Sequence, residues 1–358
     1  MISRWYGMAR PRKINIVSLA KEANVSIATI SRVLNNHQGV SEPLRMSVRK
    51  ILEGRGYQPR TVTNRRANIA IISEMATATI ENFMSQVLSG IAEYGFEQCV
   101  DTSIVFVNPG NSAKVDLLKI LRERRCDGAV FIFASNFDDG QIREISEGGL
   151  PGMLISSRRE IEGIGFIDID SYDGGITATR HLLALGHSKI CFLSGPLTRN
   201  YDNQERIKGF KKVISDAGLL DEVLIVDHQP TRLTLEAGYK QAQLALKIRP
   251  DITAMFANND EMAYGAMLAC AENGKNIPND ISIIGFDDCP FSRFSLPPLT
   301  TVRQPLSEIG YEAIKMVDMK VRGVLDRLPR KILQGVLVER KSTGPARKTK
   351  ERDGRCPS

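Results

Sequence analysis

Six cysteines are spread over 358 residues without a single CxxC pair. That spacing offers no disulfide framework and no zinc-ribbon pattern, and thiols scattered through apolar segments behave as small hydrophobes. A reduced cytoplasm is the expected compartment. No uninterrupted apolar run approaches the roughly 18 residues of a membrane-spanning helix. The basic N-terminus is followed by no apolar h-region, so a secretory signal is not expected. There is no P-loop, no GxSxG elbow and no GxGxxG after the first strand of the body. No Ser/His/Asp arrangement suggests nucleophilic catalysis, so an enzyme is not expected, nor any cofactor. His187 is expected to be a hydrogen-bonded structural histidine rather than a metal ligand.

Positive charge is the feature the chain has in excess, and it is unevenly placed. The net charge is +7, yet the first 68 residues hold 13 Lys+Arg against 3 Asp+Glu while the remaining 290 hold 35 against 38. A basic module on a near-neutral body points to phosphate binding at one end. Apolar content of 42% and charged content of 25% fit a globular protein, and the length implies two to three domains.

Within the basic module, Ile16 to Asn36 reads IVSLAKEANVSIATISRVLNN. Ile16, Leu19, Ala20 and Ala23 lie at helical spacing, Asn24-Val25-Ser26 breaks the pattern, and Ser26 is placed to cap a second helix. Ile30, Val33 and Leu34 form that helix's apolar face. The opposite face shows Ala28, Thr29, Ser31 and Arg32, small or polar enough to enter a DNA major groove about 12 Å wide. Pattern alone also allows an ordinary amphipathic hairpin; position and charge favour the DNA reading.

Val25 to Asn35, VSIATISRVLN, together with Val40 to Pro59, resembles the LacI/GalR family of bacterial transcription regulators. The resemblance extends through Thr179–Pro196 (TRHLLALGHSKICFLSGP), Ala257–Met267 (ANNDEMAYGAM), Ile281–Asp288 (ISIIGFDD) and Pro297–Gly310 (PPLTTVRQPLSEIG). It implies an all-α three-helix head, residues 1–60, a short hinge linker, 61–68, and a two-lobed effector-binding and dimerisation body, 69–343. A disordered basic tail is expected over 344–358. Met8 is a candidate alternative start.

The body's own pattern agrees. Buried apolar strands are expected at Ile69–Ser73, Ile104–Val107, Gly128–Phe133, Gly152–Ser156, Ile190–Ser194, Val223–Val226, Thr253–Ala257 and Ile281–Phe286, alternating with helices. This implies an α/β body with parallel doubly wound sheets, periplasmic-binding-protein-like by resemblance. Crossovers between lobes are expected near Asp168–Gly174, Cys289–Pro298 and Gly323–Lys331.

In the head, the resemblance assigns DNA contact to Asn15, Ser26, Ile27, Ala28, Thr29, Ser31, Arg32 and Asn35, with Arg32 a candidate for a guanine edge. The linker TVTNRRA departs from the family: Arg66 stands where relatives place a minor-groove leucine, and the segment is short. Arg65 and Arg66 are then expected near phosphates or a narrow minor groove, with a solvated basic linker as the alternative. In the body, Phe83, Ser156, Gln204, Arg206, Asn259 and Asp287 are the expected effector contacts. Strand ends supply Ser156, Asn259 and Asp287, whose hydrogen-bonding groups suit a polyol or sugar. Sugar-binding relatives often carry aspartate at position 156 and arginine at position 204, so an ordinary charge pair is expected to be missing here, and Arg206 is expected to be structural.

These readings converge on a homodimeric, sequence-specific regulator, most often a repressor in this family. It would bind a pseudo-palindromic double-stranded operator under the control of a small polar, sugar-like effector, without a membrane role. A solute-binding protein without DNA binding is the alternative.

Overall fold

The computed structural model describes residues 20, 22–23, 25–26, 29–30, 33, 40–54, 66–73, 82–108, 115–195, 201–227 and 233–347. The chain divides into two compact units, Met1–Arg66 and Ala67–Ser358.

In the first unit Thr29, Ile30 and Val33 are helical, and α1 spans Glu42–Gly54. Ser26 caps as its chemistry requires: the Thr29 amide donates to Ser26 Oγ at 3.0 Å. Ala20, Ile30, Val33, Val40 and Val48 form a small buried core, with Ala23, Val25, Leu44 and Ile51 packed around it. The apolar face read from the sequence is therefore the core face for Ile30 and Val33. Asn15, Ile27, Ala28, Ser31, Arg32, Asn35 and Arg65 lie outside the described residues. Arg66 is exposed.

The second unit holds two six-stranded sheets. The first contains β1 (Asn68–Ser73), β2 (Asp101–Phe106), β3 (Gly128–Ile132), β4 (Gly152–Ile155), β5 (Ile164–Ile169) and β11 (Arg330–Leu333), ordered β11-β5-β4-β3-β1-β2. The second contains β6 (Ile190–Leu193), β7 (Leu224–Val226), β8 (Ala254–Ala257), β9 (Ser282–Asp287), β10 (Thr300–Arg303) and β12 (Val336–Val338), ordered β12-β10-β9-β8-β6-β7. Every pairing is parallel except β10 with β12. Strands such as β3 and β9 are buried along their whole length, which is why they read as unbroken apolar runs.

Helices cover both faces of each sheet. The first lobe carries α2 (Asn82–Gln98), α3 (Leu117–Glu123) and α4 (Asp139–Glu147). The second carries α5 (Ser171–Ala184), α6 (Tyr201–Asp216), α7 (Leu235–Ile248) and α8 (Asp260–Glu272). The last helix, α9 (Leu306–Val321), returns to the first lobe, where Tyr94 of α2 donates to Asp318 at 2.8 Å.

Three expectations change. Only the first crossover lies where it was expected, directly after β5. The second falls between Arg303 and Leu306, because Thr300–Arg303 still pairs with β9. The third falls between Leu333 and Val336, because Arg330–Leu333 pairs with β5 before β12 joins the other sheet. These late strands are short and carry charged or threonine side chains, so they lack the apolar run that marks the others. The expected disordered tail does not begin at 344. The Gly344 amide donates to Ser282 Oγ at 3.0 Å, the Ala346 amide to Leu185 O at 2.8 Å, and Arg347 pairs with Asp280. Finally, β2 begins at Asp101 rather than Ile104, as an edge strand whose exposed side chains break the apolar signal.

Candidate functional site: an interlobe cleft and a capped helical head

The carboxyl ends of the strands from both sheets converge on one cavity of about 50 Å³. From the first lobe it is lined by Asn82, Phe83, Phe133 and Ser156. From the second come Asp202, Asn203, Arg206, Leu233, Asn259, Glu261, Asp287, Cys289 and Gln304. Open α/β sheets place ligands at such strand ends.

Three of these side chains are presented by unusual backbone. Phe133 ends β3 with φ 58°, Ser156 ends β4 with φ 57°, and Asp287 ends β9 with φ 114°. Non-glycine residues in this region cost about 1–3 kcal/mol each and persist where the surroundings hold them. Here both lobes carry such strain at the same cavity.

Five of the six effector candidates meet there: Phe83, Ser156, Arg206, Asn259 and Asp287. Gln204 does not. On α6 the residues Asp202, Asn203 and Arg206 share one face, and Gln204 is rotated about 100° past Asn203. The charge pair expected to be missing is present by another route. Asp202 and Arg206 both line the cavity with Ser156, and the attraction of Arg206 opposes the effect of burial on the Asp202 carboxyl.

Arg206 is 3% exposed. Its guanidinium lies 3.6 Å from the Phe286 ring centroid, and Nη1 donates to Asn258 O. Its Nε is buried without a hydrogen-bond partner. Burial lowers its pKa, against the attraction of Asp287 and Asp202. Arg206 is thus structural through Nη1 and still borders the cavity.

Asp287 accepts from Gln304 Nε2 through Oδ1 at 2.5 Å. Burial pushes its carboxyl up to about 8, against the pull of Arg206. Asp202 is likewise raised by burial, with Arg206 and the hydroxyls of Ser171 and Ser156 opposing. Asn259 is less free than its chemistry alone implied. It caps α8, accepting from the Met262 amide at 2.9 Å, and its Nδ2 donates to Leu233 O at 3.3 Å. Phe83 and Phe133 form a tilted aromatic pair 5.1 Å apart. Asn82 Nδ2 donates across the cleft to Glu261 Oε1 at 2.8 Å.

Sequence reasoning missed Asn82, Phe133, Asp202, Asn203, Glu261 and Gln304. Glu261 and Gln304 lay inside motifs already singled out, and Asp202-Asn203 lay beside the two flagged α6 positions. Their facing could be found only by phasing α6 correctly.

His187 is the expected structural histidine. It is 2% exposed, with Nδ1 2.9 Å from Thr253 Oγ1 and Nε2 2.9 Å from Ser282 Oγ and 3.0 Å from Gly344 O. Among the described residues no group of three or more His, Cys, Asp or Glu side chains is placed to hold a metal, and no helix is long and apolar enough to cross a membrane.

A basic helical head joined to a two-lobed α/β body with an interlobe cleft defines a class of ligand-sensing regulators. Comparison with known proteins agrees. Residues 15–60 match the model for bacterial regulatory proteins of the lacI family, and residues 179–343 match a periplasmic binding protein-like domain. The chain is 33% identical over 341 residues to the HTH-type transcriptional regulator DegA of Bacillus subtilis, covering 93% of this chain and 99% of that one. A LacI family transcriptional regulator from Enterococcus faecium, solved with bound ribose, is 26% identical with a TM-score of 0.69, covering 78% of this chain and all of that chain (100%). The lac repressor dimer bound to operator shares the fold, with 24% identity, a TM-score of 0.65 and coverage of 92% and 99%. The chain belongs to the LacI family of bacterial regulators.

Proposed function

We propose that this chain is a DNA-binding transcriptional regulator, acting as a repressor, whose operator affinity is set by a small polar ligand in the interlobe cleft. The observation that carries this reading is the joint presence of the Ser26-capped basic head and a cleft lined from both lobes. The relatives named above are regulators rather than enzymes, and no catalytic role is proposed.

In the head, Arg32 is the candidate for guanine recognition. Ile27 and Ala28 would read shape and thymine methyls, while Asn15, Ser26, Thr29, Ser31 and Asn35 would contact phosphate or base edges. Arg65 and Arg66 would follow the backbone from the linker. A single recognition helix reads few bases, so a homodimer on a pseudo-palindrome is the functional unit. In the body, Phe83, Ser156, Arg206, Asn259 and Asp287, joined by Asp202, would contact the ligand. Closure or opening of the lobes would then bias the spacing of two heads. The proposed limits are 1–60 for the head, a linker from 61 that ends before β1 begins at Asn68, and a body that continues past 343 to Arg347.

The test is selection of bound duplexes from a random pool, followed by titration against salt. A specific, salt-sensitive complex that is lost on deletion of residues 1–68 supports the reading. A protein that binds a small ligand but prefers no duplex sequence overturns it in favour of a solute binder.

A further inference from the structure

The three connections between the lobes pack against one another. A Cβ added at Gly335 of the third would lie 2.9 Å from Val302 Cγ1 and 3.4 Å from Arg303 O, beside the second, and 3.3 Å from Ile169 Cδ1, beside the first. The Asp170 amide donates to Leu333 O at 2.8 Å and ties the first to the third. Arg158, three residues past β4, grips the first connection from the side of the first lobe. Its Nε donates to Asp168 Oδ2 at 3.1 Å and its Nη2 to Ile169 O at 2.6 Å. The other Asp168 oxygen accepts the Ile169 amide at 2.8 Å, and Asp168 is 1% exposed. A guanidinium fixed by two bonds to one strand end presents a plane of set orientation.

That plane meets the other lobe. Arg158 Cζ lies over the Tyr201 ring, 5.4 Å from its centroid, within the range of a cation–π contact. Tyr201 is the first residue of α6, and the next two, Asp202 and Asn203, line the cavity. Neither Arg158 nor Tyr201 lines it. Ser171, at the start of α5, donates to Asp202 Oδ1 at 3.1 Å and ties the first turn of α6 to the far side of the same connection.

Arg158 is bonded to β5 and stays with the first lobe, whereas Tyr201 travels with the second. Rotation about the connections slides the ring off a plane that cannot follow it, so the contact is complete at one interlobe angle. The Asn82 to Glu261 bond also crosses between the lobes. β6 turns Ile190 and Phe192 toward α6 but Cys191 and Leu193 toward α8, so Tyr201 and Glu261 belong to helices on opposite faces of the second sheet. The lobes are thus held together on two sides of the strand ends.

We propose that Arg158 and Tyr201 form a brace across the hinge that sets the angle between the lobes and, through that angle, the affinity of the protein for its operator. The link to operator affinity rests on the functional reading above.

The experiment measures interlobe distances by pulsed dipolar spectroscopy on the full-length protein, spin-labelled and diluted with unlabelled protein. One label pair is placed at Glu147→Cys and Lys211→Cys, another at Glu93→Cys and Lys247→Cys, all exposed positions, with Cys99→Ser and Cys356→Ser in the background. Tyr201→Leu removes the ring face and leaves the hydrogen bonds of Arg158 in place, so at least one pair should shift its distance or at least double its distribution width. Tyr201→Phe keeps the face and should match the parent. Arg158→Lys keeps the charge but loses the fork and the plane, and should resemble Y201L. On a duplex selected by the parent, Y201L should change affinity fivefold or more in either direction, and Y201F should not. Unchanged distances in Y201L, equal effects of Y201L and Y201F, or shifted distances with unchanged operator affinity would each overturn the proposal. A parent that selects no duplex would bring down the regulator reading instead, while the distances still decide the brace.

Discussion

Gly175 of α5 and Gly209 of α6 meet where the two helices cross. A Cβ added at Gly175 would lie 2.3 Å from Arg206 O, and one added at Gly209 would lie 2.2 Å from Tyr172 O. Main-chain atoms cannot yield as a side-chain tip does, so the missing methyl groups set the distance between the helices. That distance places Asp202, Asn203 and Arg206 on the cleft wall.

Gly209→Ala should therefore push α6 away from α5. The expected cost is about 1–3 kcal/mol of stability, seen as a lower thermal midpoint. Ligand affinity in the cleft should fall with it, because Arg206 moves with its helix. An alanine variant with unchanged melting and unchanged affinity would contradict this account.

Asp287 gives the cleft a pH signature. Its carboxyl is raised by burial from 3.8 to about 8 in the folded protein. The folded state thus holds a proton that the unfolded chain releases, and stability from this group falls as pH rises from about 4 to 8. Asp287→Asn keeps an acceptor for Gln304 and removes the titration. Its melting temperature should exceed that of the parent by more at pH 8.5 than at pH 5, by the equivalent of about 1–3 kcal/mol. A constant difference across that range would refute the assignment.

His187 acts in the opposite direction. Burial lowers its pKa below 6.5, with the Gly344 carbonyl partly opposing. The neutral ring's stabilising contribution is present above the unfolded value of 6.5 and is lost as pH falls through the folded value. Hydrogen exchange around Gly344 to Arg347, measured relative to the intrinsic rate at each pH, should accelerate as the pH falls below 6.5. In His187→Gln that acid-induced acceleration should be greatly reduced.

Ser26 tests the head. Removing its cap with alanine should cost about 1 kcal/mol, read as faster amide exchange at Thr29 and Ile30 in the full-length protein. Ser26→Asp retains an acceptor for the Thr29 amide but adds negative charge near the expected phosphate path. It should preserve amide protection while weakening duplex binding.

The linker carries the last prediction. With Arg66 where relatives hold a wedge leucine, base steps should stay stacked, and the bound duplex should bend less than in relatives that insert one. A strongly kinked duplex in a complex would show that another apolar residue performs the insertion.

Much of the architecture was legible because parallel strands buried on both faces leave unbroken apolar runs, as in Gly128–Ile132 and Ser282–Asp287. The Ser26 cap was legible because it is local chemistry. The second and third crossovers were not, because Thr300–Arg303 and Arg330–Leu333 owe their strand pairing to neighbouring strands rather than to their own hydrophobicity. At the cleft, Phe83, Ser156, Asn259 and Asp287 were placed from strand or helix ends, whereas Arg206 was noted only two positions after Gln204 and read as structural. Gln204 was not sorted from Asp202 and Arg206, because the phase of a helix against its neighbours is a tertiary property.

By itself, the amino-acid sequence determined where positive charge collects, which helix Ser26 starts and which segments must be buried, since composition, capping and hydrophobic period act over a few residues. Only the tertiary structure decided that Asp202 and Arg206 both face the cleft, that Asn259 uses its side chain as a cap, and that Asn82 reaches across to Glu261. Those outcomes depend on how closely Gly175 lets α6 approach α5 and on the strand ends of two sheets converging on one cavity, distances that no local propensity encodes.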